Sequence, residues 1–268
     1  MTTKPSSQIR RARFKRENDT KSIWLFGLHA VRAALLNPKR DLRRLIVTKN
    51  AFDQLADAIH KADITPEITD TRKFTVPLSA NSVHQGAVLE TLSLSWGELS
   101  QYYEGANCLI LLDQVTDPNN VGAILRSADA LGADAVIGTL RHASPETGAL
   151  AKAASGALER LPYFRVPNLA RTIVDLRKNG FVVLGLDHTA DKFLDQEVHE
   201  YPNSPIALVL GAEGKGLRSK TQEVCDQLIK IRSKRSIGSL NVSNAAAIAL
   251  YSVLSSREFQ QEIVHSYA

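Results

Sequence analysis

The chain has 268 residues, 44% of them hydrophobic, with 33 lysines and arginines against 28 aspartates and glutamates. This length and composition suit one large or two ordinary globular domains, and no apolar run approaches the roughly 20 residues that span a bilayer. Cys108, in an apolar run, and Cys225, in a predicted helix, have neither metal-ligand spacing nor the density of a disulfide scaffold. Both are read as buried thiols, and the protein as cytoplasmic, with no metal and no membrane partner.

Residues 1–20 carry Lys4, Arg10, Arg11, Arg13, Lys15 and Arg16 against Glu17 and Asp19, with few apolar residues. Such an arm is expected to be disordered and suited to phosphate backbones, which makes Arg10, Arg11 and Arg13 candidate phosphate contacts. A solvated tail with no partner is the alternative. From Leu28 the stretch "LHAVRAALL" has helical periodicity, "LRRLIVTKN" contains a short strand, and "AFDQLADAIHKAD" predicts a helix with Phe52, Leu55, Ala56 and Ile59 on one face. "HQGAVLE" reads as a loop entering a strand, with His84 at its start. Residues 21–92 thus form a small α/β module, and 93–107 are read as a linker.

From residue 108 onward, continuous apolar runs "CLILLD", "DAVIG", "FVVLGLD", "IALVLG" and "QLIKI" alternate with helical stretches. Short apolar strands separated by helices predict a parallel sheet covered on both faces, an α/β domain over 108–268. Ligands of such sheets bind beyond the carboxyl ends of the strands, and three of the loops there stand out.

In "LDQVTDPNNVGAILRSADALG", Asp117 or Asn119 can cap the next helix with Pro118 in the preceding turn. Arg126, six residues beyond Asn120, reads on its own as a surface arginine that snorkels or pairs with an acid near Asp129. In "VLGAEGKGLR", glycines at 211, 214 and 216 permit close backbone approach around Glu213, although the spacing is not that of a dinucleotide fingerprint. In "GSLNVSNAAAIALYSVL", Ser239, Asn241, Ser243 and Asn244 precede an almost wholly apolar helix. An N-cap needs only one of them.

Together, in this order and spacing, "DPNNVGAILRSADALG", "LVLGAEGKGL" and "SLNVSNAAAIALY" resemble the three motifs of the TrmH (SpoU) family in the SPOUT superfamily, RNA ribose 2′-O-methyltransferases that use S-adenosylmethionine. "FGLHAVRAAL" and "HQGAV" look like the small, L30e-like substrate-binding domain found in the branch that methylates a guanosine of 23S ribosomal RNA. The resemblance implies a parallel α/β sheet with a C-terminal deep trefoil knot, an exception to unknotted topology, and a homodimer. By position it implies Asn120, Arg126, Glu213, Ser239 and Asn241 as catalytic residues. Gly211, Ala212, Gly214, Ile231, Ser239 and Leu240 would hold the cofactor, while His84 and Arg126 would contact RNA. One departure stands out: Arg232 and Arg235 occupy a loop where the family has proline and glycine. A transfer-RNA methyltransferase and a catalytically weakened RNA-binding protein remain the alternatives.

Overall fold

A computed structural model describes residues 22–70, 73–79, 82–233 and 240–266, with the backbone alone over 257–266. Arg10, Arg11, Arg13, Arg235 and Ser239 lie outside the described residues. The elements begin with β1 Ser22–Phe26, α1 Leu28–Leu36, β2 Leu42–Val47, α2 Lys49–Ala62, β3 Glu67–Ile68 and β4 Ala87–Leu92. They continue with β5 Cys108–Asp113, α3 Pro118–Ala130, β6 Ala135–Thr139, α4 Gly148–Ala154, β7 Tyr163–Val166, α5 Leu169–Lys178 and β8 Val182–Leu186. The last are β9 Lys192–Phe193, α6 Leu194–Glu200, β10 Ile206–Gly211, α7 Ser219–Gln222, β11 Gln227–Lys230 and α8 Val242–Ser266.

The chain divides into two compact units. The first comprises residues up to Ser95 together with Glu146–Glu159, and the second Trp96–Pro145 together with Arg160 onward. In the first, a sheet of order β1-β4-β2-β3 has β4 antiparallel to both neighbours. Thr48 caps α2 by accepting from the Ala51 amide at 3.2 Å. Ala51, Leu55, Ala58 and Ile59 form its buried face; of the residues expected there, Phe52 is half-buried and Ala56 exposed.

Segment 146–159 was expected in the second domain, yet it folds with the first unit. Two contacts explain this. A Cβ on Gly148 would lie 2.3 Å from the Trp24 carbonyl oxygen and 2.4 Å from the Phe26 ring, so only glycine lets α4 approach β1 so closely. Arg40, whose side chain is wholly buried, pairs with Glu159 at 2.7 Å and Glu146 at 2.5 Å, and donates to the Leu92 carbonyl. Burial alone would lower the Arg40 pKa, but the two carboxylates outweigh it and the pKa is raised; for Glu146 burial outweighs Arg40, and its pKa is raised.

The second unit is built on a sheet of seven strands in the order β7-β6-β5-β10-β8-β11-β9, with every pairing parallel. Leu109, Leu111, Ile137, Phe164 and Val209 on one face pack against Leu169, Ile173 and Leu176 of α5. Helices α3 and α8 pack against each other and against β6 and β10. From Trp96 onward the expected linker also belongs here: it contains a 3-10 turn at Leu99–Tyr102, and Trp96, Leu99, Tyr102 and Tyr103 pack on this core. Cys108 is buried in β5, but Cys225 is half-buried and lies in a bend after α7 rather than in a helix. Burial pushes its thiol up to about 12. No helix among the described residues is long and apolar enough to cross a membrane.

Candidate active site

Because the seven strands are parallel, their carboxyl ends share one edge, and the three motifs occupy loops on that edge. After β5, Asp117 caps α3 with its carboxylate, accepting from the Asn119 amide at 3.1 Å, and Pro118 takes the first helical position. This places Asn120 in the first turn. After β10 the chain makes a tight hairpin closed by reciprocal backbone hydrogen bonds between Ala212 and Gly216, at 3.2 and 2.9 Å. Gly214 and Gly216 have φ of 76° and 64°, in the left-handed region that favours glycine. Glu213 projects from the turn.

Asn241 brings the third loop to the same point. Its Oδ1 accepts from the Ser243 amide at 2.9 Å and the Asn244 amide at 3.4 Å, which makes it the N-cap of α8. That fixes the amide, and its Nδ2 donates to Glu213 Oε1 at 2.6 Å and to Asn120 Oδ1 at 3.1 Å. Asn120 Nδ2 donates to the same Glu213 oxygen at 3.0 Å. Two amides therefore hold one carboxylate oxygen and leave Glu213 Oε2 to accept from something else. The residues are 28 to 121 positions apart in sequence.

The other expected residues fall into four groups. Gly211, Ala212 and Gly214 lie on the hairpin, where a Cβ at Gly211 would sit 2.2 Å from the Gly216 carbonyl carbon and one at Gly214 would meet open space. Ile231, half-buried, and Leu240, 48% exposed, flank residues 234–239. Arg126 is exposed on α3, six residues or roughly 9 Å along the axis from Asn120. It is not part of the Asn120–Glu213–Asn241 cluster, and Asp129 on the same helix pairs with Arg160 at 2.5 Å. His84 stands in the first unit, where its ring stacks on Phe74 at 4.7 Å and its Nδ1 accepts from the Gly86 amide at 3.2 Å, leaving Nε2 as the donor.

Two contacts were not foreseen from sequence. Asp113, fully buried at the end of β5, accepts from the Arg218 amide at 3.0 Å and Nε at 2.7 Å, tying the hairpin's far end to the neighbouring strand. The only signal was an acid closing an apolar run and an arginine closing "GKGLR". Arg232 is also engaged: its guanidinium lies 3.9 Å from the centre of the Phe193 ring and 2.8 Å from Asp195.

Residues 107–251 match the model of the SpoU rRNA Methylase family. The chain belongs to this family. Residues 24–95 match the model for RNA 2'-O ribose methyltransferase substrate binding, so the TrmH/SpoU resemblance extends over both units. Among curated relatives, the 23S rRNA (guanosine-2'-O-)-methyltransferase RlmB of Ralstonia nicotianae is 38% identical, covering 89% of this chain and 97% of its own. The RlmB of Photobacterium profundum is 37% identical over 87% and 98%. Among solved structures, the SpoU methyltransferase AviRb of Streptomyces viridochromogenes, in complex with AdoMet, aligns with a TM-score of 0.75 at 22% identity, covering 94% of this chain and 99% of that one. It shares the fold of this SpoU chain.

Proposed function

We propose that the chain is an S-adenosylmethionine-dependent ribose 2′-O-methyltransferase that modifies a guanosine of 23S ribosomal RNA, acting in the cytoplasm as a homodimer with its C-terminal segment threaded as a trefoil knot. One observation carries the reading: in a SpoU family chain, Asn120, Glu213 and Asn241 from three separate loops meet in one hydrogen-bonded set. The curated RlmB relatives, named for that guanosine, supply the choice of RNA.

The residues present fit the cofactor. Gly214 and Gly216 leave open space where side chains would stand, so backbone N–H and C=O groups of the hairpin can be approached closely. Ile231 and the exposed Leu240 offer apolar surface for an adenine. Gly211, Ala212, Gly214, Ile231, Ser239 and Leu240 would hold it, and when bound it supplies an electrophilic methyl group. The remaining task is to align a ribose hydroxyl with that methyl at about 3 Å.

Arg126 serves this alignment. A protonated guanidinium has no lone pair with which to accept a proton, so its role is to orient the hydroxyl or the adjacent phosphate and to stabilise developing charge. Asn120 and Asn241 fix the rotamer of Glu213, whose Oε2 accepts from the bound groups. His84 Nε2 and the arm bearing Arg10, Arg11 and Arg13 are assigned to RNA. The homodimer is supported by apolar residues left exposed on α8, with Ile248 at 40% and Tyr251 at 62%.

The test is transfer of labelled methyl from S-adenosylmethionine to unmodified 23S RNA, with transfer RNA in parallel, followed by nucleoside analysis. The expected product is 2′-O-methylguanosine in 23S RNA alone. Product in transfer RNA alone would move the substrate to the other branch. RNA binding without cofactor binding or product would leave an inactive RNA-binding protein.

A further inference from the structure

Among the described residues, Arg40 and Arg165 are both withdrawn from water, and they are treated differently. Arg40 has two glutamates. Arg165, half-buried on β7, has none: one Nη donates to the Leu140 carbonyl, and its buried Nε finds no acceptor among the described residues. Burial therefore pushes its pKa down. Partial desolvation of a charge without a counter-charge is costly, so the environment of Arg165 is electrostatically incomplete.

Its surroundings are also basic. Tyr163 and Arg165 are alternate residues of β7 and share one face of the sheet, the face of Gly138, which pairs in register with Arg165. The 140–145 loop folds onto that face: Tyr163 donates its hydroxyl proton to the Ser144 carbonyl at 2.8 Å, and a Cβ on Gly138 would lie 2.8 Å from that of Ala143. The same loop exposes Arg141 and His142, and no aspartate or glutamate occurs between residues 135 and 145. No ion pair engages Arg141 or Arg165 among the described residues.

The location gives this basic group a use. β7, β6, β5 and β10 are consecutive, parallel neighbours, so their carboxyl ends form one continuous edge. Arg165 lies two strand spacings, ~10 Å, from β5, and the loops after β5 and β10 carry Asn120 and Glu213. We propose that Arg141 and Arg165 bind the phosphate backbone of the RNA strand beside the nucleotide presented to Asn120, Glu213 and Asn241. The inference rests on the RNA methyltransferase reading and adds a site to it. Phosphate supplies the missing counter-charge and matches the planar donor fork of a guanidinium.

Arg141→Gln, Arg165→Gln and Arg165→Lys are compared with the wild type for binding to unmodified 23S RNA transcript across a salt series. Glutamine at 165 removes the charge and keeps a polar amide at the position of the arginine Nε, while Arg165→Lys controls for the charge alone. Each glutamine variant should lower the slope of log affinity against log salt by about 0.7 to 1, as expected for one lost phosphate contact. Arg165→Lys should keep the wild-type slope, and cofactor affinity should be unchanged in all three. Identical slopes in wild type and both glutamine variants would overturn the proposal while leaving the methyltransferase reading intact. Absence of salt-dependent RNA binding by the wild type would instead overturn that reading. Should Arg165→Gln fail to fold, Arg141→Gln at its exposed position gives the same test.

Discussion

The two ends of the Asn241 amide do different work. Its oxygen is taken up by the first turn of α8, so only the NH2 can face Glu213 and Asn120. One side chain therefore caps α8 and also joins the hydrogen-bonded set on which the proposed function rests. They can be separated by Asn241→Ser. Serine caps about as well as asparagine, but it is too short to replace the NH2 donor to Glu213. Thermal stability should change by less than about 0.5 kcal/mol, while kcat/KM for methyl transfer falls about 100-fold, the scale of losing one preorganised site donor. A parallel loss of stability and activity in melting and rate measurements would mean that capping is all Asn241 does. The sequence pointed to Asn120, Glu213 and Asn241 because each lies in the segment that follows an apolar run and matches a family motif, and the structure brings the three into one hydrogen-bonded set. The Asp113–Arg218 pair was not legible in the sequence, since it joins residues 105 positions apart and neither belongs to a local pattern.

Elements were read well where one local rule decided them. β5, β6, β8, β10 and β11 are continuous apolar runs, and burial on both faces leaves such a strand few other compositions. β1 was missed because "SIWLF" runs directly into the Gly27 turn, β7 because its four residues include Arg165, and β9 because it has only two residues. The hairpin after β10 depends on a backbone contact that no pattern reports. Gly211 packs against the Gly216 carbonyl so closely that a methyl would stand 2.2 Å from its carbon and 2.4 Å from its oxygen. Gly211→Ala must open the hairpin, at a cost of about 1–3 kcal/mol for overpacking. A fall in Tm of several degrees with weakened cofactor binding is expected. Calorimetry and cofactor titration of the variant check both; an unchanged affinity would show that the hairpin is not the cofactor's cradle.

At the scale of the molecule, a division into two parts was readable from the shift in composition, although the linker read at 93–107 packs from Trp96 onward with the second unit. The return of segment 146–159 to the first unit was not readable, since it depends on the Arg40–Glu159 pair, 119 residues apart, and on Gly148 against β1. The last consequence concerns α8. Ala246, Ala249, Leu250 and Val253 bury one side of this helix, while Ile248 and Tyr251, three residues apart and so neighbours on its surface, remain 40% and 62% exposed. A second copy covering that surface would remove both side chains from water. Tyrosine contributes heavily where it is fully covered, with at least about 2 kcal/mol lost on truncation, or roughly 30-fold in the dissociation constant. Tyr251→Asp adds the desolvation of a carboxylate, so it should convert a dimer to monomers in light scattering at micromolar concentration. In the proposed homodimer Arg126, which stands outside the Asn120–Glu213–Asn241 cluster of its own chain, would act with the cluster of the second copy, so methyl transfer should fall with the dimer. A Tyr251→Asp protein that is monomeric yet fully active would place the whole site within one chain, and the role given to Arg126 would then have to be met by movement of α3 alone.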